Sequence, residues 1–150
     1  MKPPTAKGQF FSRILQEAGA RWDTAVVRPW GSFVVLRDIV RTGAVIYREK
    51  LLRIYPNTML TLHTHSNYDE VWLAEDGFDY ILEGERGGLT KCHAVAYERV
   101  FIPRKRKHLI STGVGELCVF EIQLGNIVDS DVVKFTLPED IAANSTDRIE

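Results

Sequence analysis

At 150 residues, 45% apolar and 26% charged, the chain has the size and mix of one soluble domain that buries its own core without disulfides. A net charge of −1 offers no basic field to nucleic acid or an anionic membrane, and no apolar run approaches the roughly 20 residues that span a bilayer. The first residues lack the apolar stretch of a signal peptide, and the two cysteines, Cys92 and Cys118, have no CxxC spacing, so reduced thiols and a cytoplasmic location are expected.

Residues 1–8, with Pro3, Pro4 and Gly8, read as a loose tail. Phe10, Phe11, Ile14, Leu15 and Ala18 fall at helical spacing and predict one short amphipathic helix over 9–20, with Gly19 near its end. From Ser32 the texture changes to short runs rich in Val, Ile, Leu, Tyr and Phe, separated by turn residues such as Thr42-Gly43, Pro56-Asn57, Asp76-Gly77 and Gly87-Gly88. Strands are predicted near 32–38, 44–55, 58–64, 69–74, 78–83, 94–96, 99–102, 107–111, 116–124 and 131–136. No long helical pattern separates them, so the fold class is all-β, a sandwich or barrel, and a parallel α/β sheet is excluded. The organisation expected is a tail and helix over 1–27, a β domain over 28–136 and a polar C-terminal tail over 137–150.

The informative segment is Thr61-Leu62-His63-Thr64-His65-Ser66-Asn67-Tyr68-Asp69-Glu70. Alternate side chains of a strand share a face, so His63 and His65 point the same way, roughly 6–7 Å apart along the chain. After a turn Glu70 opens the next strand, where antiparallel pairing can return it to that face. His108 arrives from a later strand after Ile102-Pro103. Three imidazoles and one carboxylate suit one divalent ion such as Zn, Mn, Fe, Ni or Co, and leave positions open to water or substrate. The competing reading of an isolated His-x-His is plain strand polarity.

Spacing argues against that second reading. His63-x-His65, four residues, Glu70, six residues and Gly77 match the first motif of the cupins, and Pro103, four residues and His108 match the second. The chain further resembles the cupin domain of type II mannose-6-phosphate isomerases over about 28–136. The resemblance begins at Arg28-Pro29-Trp30-Gly31-Ser32-Phe33 and ends at Phe120-Glu121-Ile122-Gln123-Leu124-Gly125 and Asp129 to Val133. It implies an antiparallel jelly-roll barrel. The chain departs from the pattern at His63, where the family has glutamine, at Asn57 and Lys105, where it has glycine, and at Tyr68 and Leu109, where it has arginine.

What the resemblance implies is a metal-dependent isomerase or epimerase acting on a sugar or sugar phosphate. Lys50 and Glu121 match family positions and are candidates for proton transfer, with Tyr80 a third. Lys50 has the alternative of a solvated edge residue, and Glu121, inside an apolar strand, needs a partner. Arg104 and Arg106, in the run Arg104-Lys105-Arg106-Lys107 just before His108, are the expected contacts of a substrate phosphate; the alternative is a solvated turn. An Fe(II) dioxygenase and a non-catalytic sugar-binding cupin are the competing functions. A homodimer is expected, because a jelly roll exposes sheet edges that must be covered.

Overall fold

A computed structural model of the protein describes residues 6–142. Of the tails expected over 1–8 and 137–150, residues 1–5 and 143–150 lie outside the described residues, and residues 6–8 open a helix instead. Helix α1 runs Ala6–Glu17, followed by a 3₁₀ turn at Trp22–Thr24. The strands are β1 (Val26–Arg28), β2 (Gly31–Arg41), β3 (Ala44–Ile54), β4 (Leu62–Thr64), β5 (Tyr68–Ala74), β6 (Phe78–Glu83), β7 (Leu89–Ala94), β8 (Val100–Ile102), β9 (His108–Ser111), β10 (Leu117–Gly125) and β11 (Val133–Phe135); a short helix α2 (Glu139–Ala142) follows. They form two antiparallel sheets, ordered β1-β2-β3-β10-β5-β8 and β11-β4-β9-β6-β7, the jelly roll expected from sequence. No helix among the described residues is long and apolar enough to cross a membrane.

Period-two alternation builds the sandwich. Along β5 the residues alternate buried and half-buried, and β10 does the same from Leu117 to Gln123. The inward residues Leu52, Ile54, Trp72, Phe78, Ile102, Ile110 and Val119 pack between the sheets. A second cluster of Met59, Leu62, Ile81, Leu109 and Leu137 is joined by partly buried Phe135 and Ile141, so the chain past β11 packs onto the domain. Leu137 is 4% exposed, which makes this part of the expected polar tail a structural cover.

Sequence and structure differ at short elements. The run predicted as a strand over 58–64 pairs regularly only at Leu62–Thr64, because Met59 bridges Ser111 and the Leu60 N–H donates to the Ile110 carbonyl. The strand predicted at 94–96 lies earlier, at Leu89–Ala94; it is an edge strand whose Thr90, Lys91 and His93 face solvent. β1 was not predicted at all, since Val26–Arg28 is only three residues long and exposed throughout. The helix starts and ends about three residues earlier than predicted, and Gly19, at φ 68°, closes it as expected.

Gly31 and Gly125 hold the site-bearing strands close. A Cβ at Gly31, where φ is 153°, would lie 1.9 Å from the Arg53 carbonyl oxygen; one at Gly125, where φ is 142°, would lie 2.4 Å from that of Asn67. Asn57 and Lys105, which stand where the family carries glycine, both have left-handed backbones, at φ 52° and 69°.

Candidate metal centre

Antiparallel register puts directly paired residues on one face, and it assembles three rows. In the five-stranded sheet, Lys134, His63 and His108 stand side by side across β11, β4 and β9. In the six-stranded sheet, Lys50, Glu121 and Trp72 form one row across β3, β10 and β5, and Arg48, Gln123 and Glu70 form the next. The rows face each other across a cavity of about 520 Å³ whose lining includes Lys50, His63, His65, Glu70, Glu121 and Gln123.

His63, His65, Glu70 and His108 each aim one ligand atom at a common point, all within 4.8 Å of one another. Backbone carbonyls set the imidazoles. His63 Nδ1 lies 2.7 Å from the Thr61 oxygen, His65 Nδ1 2.8 Å from that of Asp131 and His108 Nδ1 2.8 Å from that of Arg106. A carbonyl only accepts, so each Nδ1 carries a proton and each Nε2 is turned inward. The Asp131 carboxylate accepts from the Ser66 and Asn67 N–H groups, both at 2.9 Å, and so fixes the turn between His65 and Glu70.

These atoms fit one divalent metal ion. His108 Nε2 and Glu70 Oε1 are buried, 3.5 Å apart, and neither makes a well-formed hydrogen bond. His65 Nε2 approaches Glu70 Oε1 to 2.6 Å, a contact that a proton or a cation must hold together. Burial, with His108 and His65 nearby, lowers His63 to about 3, which keeps it a neutral donor. Burial also opposes charge on His65, but the Glu70 hydrogen bond and charge outweigh it and raise its pKa.

Trp72 ties the ligand set to the second carboxyl. Its Nε1–H donates to Glu70 Oε2 and Glu121 Oε1, each at 3.0 Å. Burial and the neighbouring Glu70 charge push Glu121 well above the usual carboxylate range, while burial of Glu70 is outweighed by its close contacts with Glu121, His108 and His65, which hold it well below. The two directions favour the protonated form of Glu121 and the ionised form of Glu70.

The other expected residues divide. Lys50 and Glu121 face the cavity together, with the Lys50 Nζ 4.5 Å from the Phe33 ring centroid. Tyr80 does not line it; the ring packs edge-on against Trp72, 6.0 Å between centroids, and pairs with Cys92 across β7. Arg104 and Arg106 do not line it either. Arg104 reaches back to Asp69 at 3.2 Å, and Arg106 faces Glu85 at 3.6 Å. Tyr68, in place of the family's arginine, stacks on His65 and sets its hydroxyl 2.7 Å from Nδ1. Sequence reading assigned no role to Thr61, Gln123, Arg28 or Lys134 on the cavity wall; Lys134 carried only the signal of charge in an apolar strand context, and Arg28 only its place at the start of the family-like segment.

The Asp69–Arg104 pair gives a pH prediction. The Arg104 hydrogen bond and charge hold Asp69 below its usual 3.8. A depressed carboxyl contributes stability above its unfolded pKa and loses it as pH falls through the folded pKa. Asp69→Asn should therefore unfold at lower urea than the wild type at pH 7, with the gap closing in acid. A gap independent of pH would sink the assignment.

The model of the family described as mannose-6-phosphate isomerase C-terminal matches residues 16–136. The chain belongs to that family. Members of the mannose-6-phosphate isomerase C-terminal family are cupins, and solved cupins share the fold. The capsular polysaccharide assembling protein CapF from Staphylococcus aureus superposes with a TM-score of 0.63 at 15% identity, over 75% of this chain and 31% of its own. A CapF structure with the inhibitor 3-isopropenyl-tropolone gives 0.61 at 17% identity, over 75% and 34%. Oxalate decarboxylase from Bacillus subtilis, a protein with Mn(II) centres, gives 0.60 at 17% identity, over 79% and 33%. The chain thus spans about a third of the length of these proteins. No curated protein matches the sequence.

Proposed function

We propose that the protein is a metal-dependent isomerase or epimerase of a sugar or sugar phosphate. The observation that carries this reading is the shared cavity: His63, His65 and Glu70 of the ligand set line it together with Lys50 and Glu121. His63, His65, Glu70 and His108 would hold the ion, which when bound would polarise a carbonyl and its neighbouring hydroxyl as a Lewis acid. Glu121 would donate a proton to the substrate carbonyl oxygen and, as the carboxylate left behind, take the proton from the neighbouring carbon. Lys50, in the same row, stabilises the carboxylate that remains. The Gln123 Oε1 and Thr61 Oγ1 atoms are buried without hydrogen-bond partners and are acceptors for sugar hydroxyls. Trp30 and Phe33 form apolar wall that excludes water.

The test is turnover of aldose and ketose phosphates by metal-loaded protein in D₂O. Deuterium should enter the carbon beside the carbonyl, and Glu121→Gln should lower turnover by about 10²–10⁴-fold with metal content unchanged. Absence of both turnover and exchange with every sugar offered would leave a non-catalytic binding cupin.

We also propose a homodimer, in a reducing cytoplasmic setting that suits the free thiols of Cys92 and Cys118. β1 covers β2 only at Gly31–Phe33, and among the described residues no strand pairs with the outer edge from Val34 to Arg41. That open edge, with Val35 38% and Val40 51% exposed, suits a second copy. Sedimentation should give about twice the 17.1 kDa chain mass; a monomer would refute the pairing.

A further inference from the structure

The cavity carries charge that the ligand set and the proton-transfer pair do not use. Arg28, on β1 of one sheet, and Lys134, on β11 of the other, both line it and both are exposed at its rim. Among the described residues neither is in an ion pair; Arg28 donates only to its neighbouring Val27 carbonyl and lies 5.4 Å from the Phe33 ring centroid. The other arginines near the site are occupied. Arg48 pairs with Asp38 and Asp129, Arg104 with Asp69 and Arg106 with Glu85. Of the acids lining the cavity, Asp129 is taken up by Arg48, Glu70 belongs to the ligand set and Glu121 stands beside Lys50. The rim therefore has unneutralised positive charge on two opposite walls, and Lys50 adds a third cation farther in, over the same Phe33 ring.

Two cations on different sheets offer positive charge to an anionic ligand from both walls of the cavity. Lys134 also stands directly beside His63 in register, so an anion it holds stays within a small molecule's length of the ion site.

We propose that Arg28 and Lys134 clamp the phosphoryl group of the substrate at the cavity rim, with the sugar reaching inward toward Gln123, Thr61 and the ligand set. This deepens the sugar-phosphate reading above and rests on it for the identity of the anion. It moves the anion contact from the Arg104–Arg106 run to two residues far apart in sequence.

Calorimetric titration of metal-loaded protein with inorganic phosphate tests it, with no sugar present. Arg28→Gln and Lys134→Gln should each weaken phosphate by about tenfold, and the double variant by about a hundredfold. Arg104→Gln, outside the cavity, should leave the affinity within twofold. Melting temperatures check each fold, and the charge-keeping Arg28→Lys and Lys134→Arg should restore most of the binding. Phosphate that ignores the Arg28 and Lys134 variants, or fails to bind the wild type, overturns the clamp whether or not a sugar is turned over. Phosphate binding that follows the variants in a protein that isomerises no sugar phosphate supports the clamp and sinks only the isomerase reading.

Discussion

Alanine at His108 should cost the protein its metal, lowering affinity by about 100-fold or more while the sheets still form. His108 is 1% exposed and has its ring fixed by the Arg106 carbonyl. Among the described residues the inward Nε2 makes no well-formed hydrogen bond, and it points toward the place shared with His63, His65 and Glu70. Removing it takes away a pre-oriented donor and leaves three ligands, with the Glu70 charge less well matched. The loss to the metal-free fold is smaller, because the imidazole packs against Trp72 but completes no bond there through Nε2. Metal content by mass spectrometry and affinity by calorimetry, measured beside His63→Ala, give the answer. Wild-type affinity in both variants would show that the ion binds elsewhere.

The second large effect is on stability, at Trp72. The side chain is 2% exposed and packs on Phe78, Tyr80 and His108. Trp72→Ala should destabilise by about 3–5 kcal/mol, the range for emptying a large aromatic site. Trp72→Phe separates packing from hydrogen bonding. It keeps most of the ring and removes the one N–H that bridges Glu70 and Glu121, which leaves two buried carboxyls to face each other with less compensation. A loss of about 1–3 kcal/mol is expected for Phe. Urea unfolding of chelated protein measures both. A Phe variant as stable as the wild type would mean the bridge contributes nothing to folding.

How much of this was legible in sequence follows from what carries each feature. The ligand set was legible because strand periodicity puts His63 and His65 on one face, and because the spacings to Glu70 and from Pro103 to His108 leave few other geometries. The parts that orient those ligands were not, since the Thr61, Asp131 and Arg106 carbonyls have no side-chain signature. The basic run misled for a specific reason. β8 ends at Ile102 and β9 starts at His108, and Lys105 between them has a left-handed backbone. Strand alternation therefore does not apply from Arg104 to Lys107, and the two arginines turn outward to acids. Lys134 was hidden for the opposite reason: its inward direction comes from pairing with β4, a long-range register that local patterning does not encode. β7 escaped because an edge strand with polar residues on its open side looks like a loop.

The division of the ligands between sheets has a mechanical consequence. Glu70 belongs to the six-stranded sheet, while His63 and His108 belong to the five-stranded one. A bound ion is then a rivet through both layers, and its binding energy is spent on keeping them closed as much as on chemistry. An ion at 100 times its dissociation constant adds about 2.7 kcal/mol to the folded state. Stripping it should loosen the two layers at this end of the sandwich first, so amide exchange would quicken in β4, β9 and the start of β5 before the apolar end around Ile54 and Val119 responds.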